Sequence, residues 1–396
     1  MPRILLVGTK NDQPDFVERA KALGLEVVLA QRPQVLTLRQ AACADQTIVT
    51  DFTQPDFIDL VRALHAWKPL DAVCSLTELG LVPAALAVEA LGVRGVTPRT
   101  ALLLRDKAMM RAVLNGKGFS PVAAQSCRGV GETLAAAAGI GYPVIVKPVD
   151  GGGSIGIVRA DGPEDVRAGF VRLDGLGIAD VIVEEFLDGP EFSVEAFSFA
   201  GRHVVLAITE KIVGANFIEM GHALPADLPE ETGRTVEDFV AEFLTIVGLD
   251  DGPSHTELKL TSKGPRIIES HNRIGGDKIG LLVDAALGVN LVDLSFGWAA
   301  GILPALDRVP PGRCSSAVRF LSVPPGRIER IEGLDRLRAA EDVLEFDFRH
   351  SVGETIGLVT ENLERSGFVA VTAPTTGEAR ARAEALAGEV VVTTAI

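Results

Sequence analysis

One stretch constrains this chain more than any other: SHTELKLTSKGPRIIESHNRIGGD, from Ser254 to Asp277. It reads as two strands joined at Ser262-Lys263-Gly264, a glycine-containing connection of the length that hairpins use. Period-two alternation sets His255, Glu257 and Lys259 on one face of the first strand and Thr256, Leu258 and Leu260 on the other. On the second strand Ile267, Glu269, His271 and Arg273 share a face, and Ile268, Ser270 and Asn272 take the opposite one. A regular hairpin then puts Glu257 opposite Glu269 and His255 opposite His271. Facing carboxylates repel and weaken a sheet. A divalent cation removes the conflict, because hard cations take carboxylate and phosphate oxygens together. An arginine on the same face would grip a phosphate bidentately. Two readings stand at this point: a metal–nucleotide site, or a solvated hairpin with ordinary surface charges.

The chain has 396 residues, enough for two or three domains with a substantial core. Hydrophobic residues at 47% against 23% charged exclude a disordered chain. The net charge of -15 argues against a nucleic-acid backbone or an anionic membrane as partner. Cys43, Cys74, Cys127 and Cys314 are scattered, with no CxxC or Cys/His cluster, so neither zinc nor a redox pair is indicated. The N-terminal MPRILLVGT enters an apolar strand directly, and no apolar run approaches the ~18 residues of a membrane span. A soluble cytoplasmic protein with reduced thiols is expected.

From Arg3 onward short apolar runs alternate with helical spacing: a strand to Gly8, a helix over Asp15–Leu23, a strand at Glu26–Ala30, and a strand over Ala72–Ser75. This is the pattern of an open, doubly wound parallel sheet. The first domain closes near Val96-Thr97-Pro98. Glu78 follows the strand ending at Ser75, where ligands approach such sheets; it is either a substrate-side or a surface acid. Thr100 to Gly116 reads as a helix that contains Arg105-Asp106-Lys107, and Phe119-Ser120-Pro121 opens a strand.

Tyr142–Pro148 reads as a buried strand with Lys147 near its end. Lysine is almost never buried alone, so Lys147 either snorkels or meets a phosphate or adenine. The glycine-rich run Gly151-Gly152-Gly153-Ser154-Ile155-Gly156 follows at once, and its backbone can turn N–H groups toward an anion. It lacks the GK[ST] of a Walker A loop, so by itself it also suits a flexible turn. Behind a strand lysine and upstream of paired acids it points more specifically to phosphate. Val181–Leu187 is a strand whose end turns polar. The backbone at Phe186 and Leu187 could pair with an adenine rim, and a carboxylate just beyond could accept ribose hydroxyls; an ordinary strand pair with exposed acids is the alternative.

This ordered set resembles the ATP-grasp carboxylate–amine ligases, most closely L-amino-acid ligases of the bacilysin-synthetase type. The likeness covers nearly the whole chain: an α/β pre-ATP-grasp domain (1–98), a nucleotide- and metal-binding α+β grasp (99–305), and an interwoven C-terminal amino-acid-ligase-like domain (306–396). It implies that Lys107 in RDKAMMR and Lys147 contact nucleotide, and that Gly152, Gly153 and Ser154 belong to a phosphate-covering loop. Glu184, Phe186 and Leu187 would form the adenine hinge, with Glu191 on the ribose. Glu257 and Glu269 would hold Mg2+, with Mn2+ an alternative, and Arg273 would sit by the transferred phosphate and the substrate carboxylate. Many members carry Asn two positions after the second acid; here His271 stands there and Asn272 follows. His271, Asn272 or water would then complete the metal shell. Imidazole suits transition metals better than Mg2+, so weak or indirect contact is expected.

The segment Asn216–His222 would line the substrate pocket. Glu219 could bind an α-ammonium, and His222 could contact an acyl phosphate or the attacking amine, or could be an exposed loop histidine. Gly276 would offer a backbone amide to a substrate carboxylate, beside Asp277. Asp277 stands where the bacilysin-type enzyme has a bulky residue, implying a roomier or more polar pocket. The implied activity is ATP-dependent phosphorylation of a small carboxylate followed by attack of an amine, in a homodimer. Such chemistry needs positioning, charge neutralisation and exclusion of water. Carboxylation and intramolecular cyclisation are alternative chemistries. A nucleotide-binding regulatory protein is the non-enzymatic alternative, against which Lys107, Lys147, Glu257, Glu269 and Arg273 together argue.

Overall fold

A computed structural model describes residues 1–10, 15–214 and 217–395; Asn216 lies outside the described residues. Arg3–Val7 is buried along its whole length, which demands cover on both faces. The strand accordingly sits inside a parallel sheet ordered Gln46–Val49, Glu26–Gln31, Arg3–Val7, Ala72–Cys74. Helix Leu81–Leu91 covers one face through Ala84, Ala87 and Val88. Phe16–Ala22 covers the other, joined there by Phe296 from much later in the chain. The short turn Glu78–Gly80 follows the last parallel strand.

Among the described residues three further sheets follow, the smallest formed by Thr355–Ile356, Gly326–Glu332 and Val391–Ala395. An antiparallel one runs Ala124–Arg128, Asp180–Glu185, Val144–Pro148, Val158–Ala160, backed by helices Gly129–Ile140 and Pro163–Gly175. The largest has eight strands. It begins Gly264–His271, Gly252–Thr261, Glu191–Phe199, Arg202–Val213, Glu219–Leu224. It then continues into Ser315–Leu321, Gly367–Ala373 and Val343–Phe348, so the C-terminal segment extends the same sheet. Helix Glu230–Val247 packs on one face, against Phe192, Val194, Ala196, Leu258 and Ile267. The alternate residues of those strands, Glu195 and Glu257 among them, therefore face the other way. On that second face Ile279–Leu287 and Leu291–Ala299 cover the apolar half, leaving the charged half to the other domains.

The hairpin keeps its expected register at His255–His271 and Glu257–Glu269. Gly264, at φ +91°, closes its turn. Beyond Glu269 a bulge intervenes and Leu258 pairs with Ile267. One extra residue inverts the alternation. Ile267 thus joins Leu258 in the core instead of sharing Glu269's face, and Ile268 lines a cavity.

Two other expectations change. The single helix over 100–116 is two, Pro98–Arg105 and Lys107–Gly116. Asp106 separates them at φ -94°, ψ 103°, and its carboxylate accepts from the Ala108 and Met109 amides as an N-cap. Lys107 thereby begins a helix. No strand begins at 119–121: Ser120 has φ +49° and the strand starts at Ala124. The Ser120 hydroxyl instead accepts from the Ile267 amide.

Arg111 ties these parts together. Its side chain is 2% exposed; Nε lies 2.7 Å from Glu184 Oε1, and Nη2 donates to the Ile267 carbonyl at 2.6 Å. Removing one partner of a buried pair leaves the other uncompensated. We expect Arg111→Met to cost about 3 kcal/mol, read as a lower urea midpoint by circular dichroism; an unchanged midpoint would contradict this linkage.

Candidate active site

A cavity opens between the antiparallel four-stranded sheet and the eight-stranded sheet. Lys147 enters it from the strand Val144–Pro148, Lys107 from the start of its helix, and the loop 151–155 covers one side. Glu185, Phe186 and Leu187 form an edge. Glu191, Lys211, Glu219, Glu257 and Glu269 rise from the large sheet.

Lys211 is the hub. Its side chain is 1% exposed, and Nζ lies 2.8 Å from Glu191, 3.0 Å from Glu219 and 2.8 Å from Glu257. Lys107 Nζ lies 3.1 Å from Glu269 Oε2 and donates to the Gly151 carbonyl. Burial pushes the Glu257 carboxyl up, but Lys211 and His255 outweigh it and hold the group at about 2. Burial is likewise overcome at Glu269, where Lys107 and His271 hold the carboxyl well below its ordinary range. Both facing acids are therefore ionised at neutral pH. Two ionised oxygen donors opposite one another, beside a cavity lined with lysines, suit a hard divalent cation with phosphate.

Each acid also meets a histidine. His255 Nε2 lies 3.3 Å from Glu257 Oε1, and its Nδ1 lies 2.7 Å from Glu195 Oε1. Burial pushes His255 down, but Glu195 and Glu257 raise it to about 10. His271 Nε2 lies 3.2 Å from Glu269 Oε1, and Nδ1 3.3 Å from Glu78 Oε1. Those acids raise His271 despite its burial. In this structure the Nε2 side of His271 meets Glu269 and its Nδ1 side meets Glu78. Glu78 also accepts from Arg273 Nε at 2.6 Å. It is thus neither a free surface acid nor a free substrate acid: it anchors the His271–Arg273 end of the hairpin. Asn272 does not join this group. Strand alternation sends it to the far face, into a small pocket with Cys74, Ser75 and Trp298, where Oδ1 has no partner.

The remaining residues expected near a nucleotide are placed as follows. Glu184 lies between Arg111 and Lys147, 2.7 Å from each, with its side chain 7% exposed. Its carboxylate thus joins Arg111 to Lys147 at the wall of the cavity. Phe186 has Arg159 over its ring at 4.4 Å, and the Leu187 carbonyl accepts from Lys259 at 3.3 Å. In the glycine-rich loop Gly151 and Gly153 have φ of +97° and +72°. Ser154 Oγ donates to the Phe217 carbonyl at 3.0 Å, tying the loop to the segment before Glu219. Gly152 lies beside Arg273, a Cβ there coming 4.0 Å from Nη2.

On the substrate side the structure departs further from expectation. His222 is no exposed loop residue. It sits on the strand Glu219–Leu224, fully buried, with Nε2 3.2 Å from Glu219 and 3.5 Å from Asp277. Burial pushes it down, but Asp277 and Glu219 raise it overall. Asp277 is paired as well. At φ +51° it grips Arg365 bidentately, at 2.7 and 2.6 Å. Burial pushes Asp277 up, yet His222 and Arg365 hold it below its ordinary range. Arg365 also donates to the Glu219 carbonyl at 2.6 Å and stacks 3.5 Å from the Phe320 ring centroid. Gly276, next to Asp277, accommodates a Cβ freely. Sequence reasoning set His255 opposite His271 without giving it a role, and gave none to Arg365, Glu195 or Lys211. Glu195 carried a signal, as the one ionisable residue inside an apolar strand; Arg365 carried none, being 88 residues from Asp277.

Comparison with known proteins bears on these geometries. Residues 140–280 match the ATP-grasp domain, 17–94 the ATP-grasp N-terminal domain, and 319–395 the L-amino acid ligase C-terminal domain 2. Over 268 residues the chain is 28% identical to alanine–anticapsin ligase of Bacillus subtilis, covering 62% of this chain and 57% of that one. It is 24% identical over 382 residues to an L-arginine-specific L-amino acid ligase of Bacillus subtilis, covering 90% and 89%. It shares the fold of the crystal structure of L-amino acid ligase from Bacillus licheniformis, with TM-score 0.84, 24% identity and coverage of 100% and 99%. Among the described residues no single helix is long and apolar enough to cross a membrane.

The raised His255 has a consequence for stability. A group with a raised folded pKa contributes stability in full below its unfolded value of 6.5, and loses it as pH rises toward about 10. Wild-type urea midpoints should fall across that window, and His255→Gln should show a shallower fall. Parallel profiles for the two proteins would contradict the assignment.

Proposed function

The chain belongs to the ATP-grasp proteins that carry an L-amino acid ligase C-terminal domain, and from that premise we propose that it is an ADP-forming ligase joining a small carboxylate, an amino acid in the first instance, to an amine. The observation that carries this reading is the pair of ionised acids, Glu257 and Glu269, facing each other beside Lys107 and Lys147. The match over 319–395 supports ligation over carboxylation.

In this reading adenine lies along Phe186 and Leu187, and Glu191, steadied by Lys211, accepts from the ribose. Lys107, Lys147 and the amides of the glycine-rich loop hold the phosphates. Glu257 and Glu269 would hold Mg2+, which would supply neutralisation of charge on the phosphate oxygens. The substrate carboxylate oxygen attacks the γ-phosphorus and ADP leaves. Arg273, aimed by Glu78, stabilises charge on the transferred group. Closure of the glycine-rich loop keeps water from the acyl phosphate. The amine nitrogen then attacks the acyl carbon, phosphate departs and the nitrogen loses its proton. Glu219, with His222 behind it, places the ammonium group. The Asp277–Arg365 pair makes this end of the pocket polar.

Incubation with MgATP and pooled amino acids, followed by mass spectrometry and nucleotide analysis, tests the proposal. A condensation mass with stoichiometric ADP is expected. AMP in place of ADP would overturn the acyl-phosphate route. Arg273→Met should lower ADP formation about 100-fold while leaving nucleotide binding near wild type.

A further inference from the structure

The two facing acids are held in matching ways. Glu195 contacts His255 at 2.7 Å, and His255 contacts Glu257 at 3.3 Å. Glu78 contacts His271 at 3.3 Å, and His271 contacts Glu269 at 3.2 Å. In both cases Nδ1 faces the outer acid and Nε2 the inner one. The imidazoles are directly cross-strand, with centroids 6.4 Å apart and planes at 21°. Both are more than nine-tenths buried, so their orientations are set by these partners. A third observation concerns Gly275. A Cβ there would come 2.8 Å from His255 Nδ1 and 3.0 Å from Glu195 Oε2. Its φ is not in the left-handed region, so the glycine is required by this close approach rather than by backbone conformation.

We infer that His255 and His271 are positioning residues, each orienting one of the paired carboxylates for a divalent cation, with Glu195 and Glu78 fixing the rings and Gly275 leaving room for the first pair. The inference rests on the reading of Glu257 and Glu269 as metal acids. Metal-binding carboxylates work when their oxygens are already aimed, and loss of such outer partners typically costs 10–100-fold in metal affinity. The two relays also differ in reach. Glu195 lies inside the large sheet, whereas Glu78 comes from the N-terminal domain, which makes the Glu269 side depend on how that domain is docked.

The test separates metal from nucleotide. ADP binding is measured by calorimetry without metal, and Mn2+ binding to the ADP complex by electron paramagnetic resonance. His255→Leu and His271→Leu should weaken Mn2+ about 10-fold or more with metal-free ADP affinity unchanged. His255→Gln and His271→Gln, whose amides can still donate to Glu257 and Glu269, should recover most of the loss. Gly275→Ala, which removes no polar group, should weaken Mn2+ as well. Leucine variants that bind Mn2+ like the wild type would reduce the imidazoles to packing and overturn the inference. Should they fail to fold, unchanged Mn2+ affinity in Gly275→Ala overturns it instead. Wild-type protein that binds ADP but takes up no Mn2+ would overturn the metal reading of the acids themselves, a result distinct from either.

Discussion

Repulsion between Glu257 and Glu269 is the constraint on which the rest of this structure depends. Two ionised carboxylates directly opposite one another in a buried strand pair cannot persist unaided. The fold answers with cations drawn from different elements. Lys211 comes from the neighbouring part of the large sheet and Lys107 from a helix start. His255 and His271 come from the hairpin itself. Lys211, His255 and His271 are each held in turn by a further acid, and Lys107 by the Gly151 carbonyl, so the charges form a network rather than isolated pairs. That network gives the cavity its ionised acids and its lysines, the two requirements for holding a metal–phosphate ligand.

The same logic explains how the domains are joined. Glu78 connects the parallel sheet to His271 and Arg273. Arg111 connects its helix to Glu184 of the four-stranded sheet and to the Ile267 carbonyl of the hairpin. Arg365 connects the C-terminal segment to Asp277 and Glu219. In all three, a long cationic side chain crosses between elements and finds its partner at low exposure. Buried pairs of this kind are weak evidence for added stability, but breaking one is costly. Their value here is placement: the site is assembled only when all three seams are closed.

Particular residues show why some of this was legible in the chain and some was not. The parallel sheet and the strand bearing Lys147 follow from short apolar runs, and the facing of Glu257 with Glu269 from period-two alternation and a turn, all of them local. The helix break at Asp106 was also local, and was missed because helical spacing continues across it while the capping carboxylate interrupts the backbone. Ile267 was assigned to the wrong face because a bulge leaves no mark in a pattern of alternation. Glu184 and Asp277 were each identified as site residues, yet their arginine partners arrive from distant parts of the chain. A carboxylate that looks free for ligand in the sequence is occupied by arginine in the fold.

The chain by itself determined most of the elements and the chemical nature of the groups around the cavity, because apolar periodicity and the spacing of lysines, glycines and acids are written along it. Tertiary structure alone decided which charges pair. Arg365 reaches Asp277 across 88 positions, and Lys211 meets three acids from three different places in the sequence. Coulombic and hydrogen-bond energies depend on distance and burial, neither of which sequence spacing specifies beyond a few residues. The nature of the groups is thus a property of the sequence; their protonation, orientation and availability to a ligand are properties of the packed molecule.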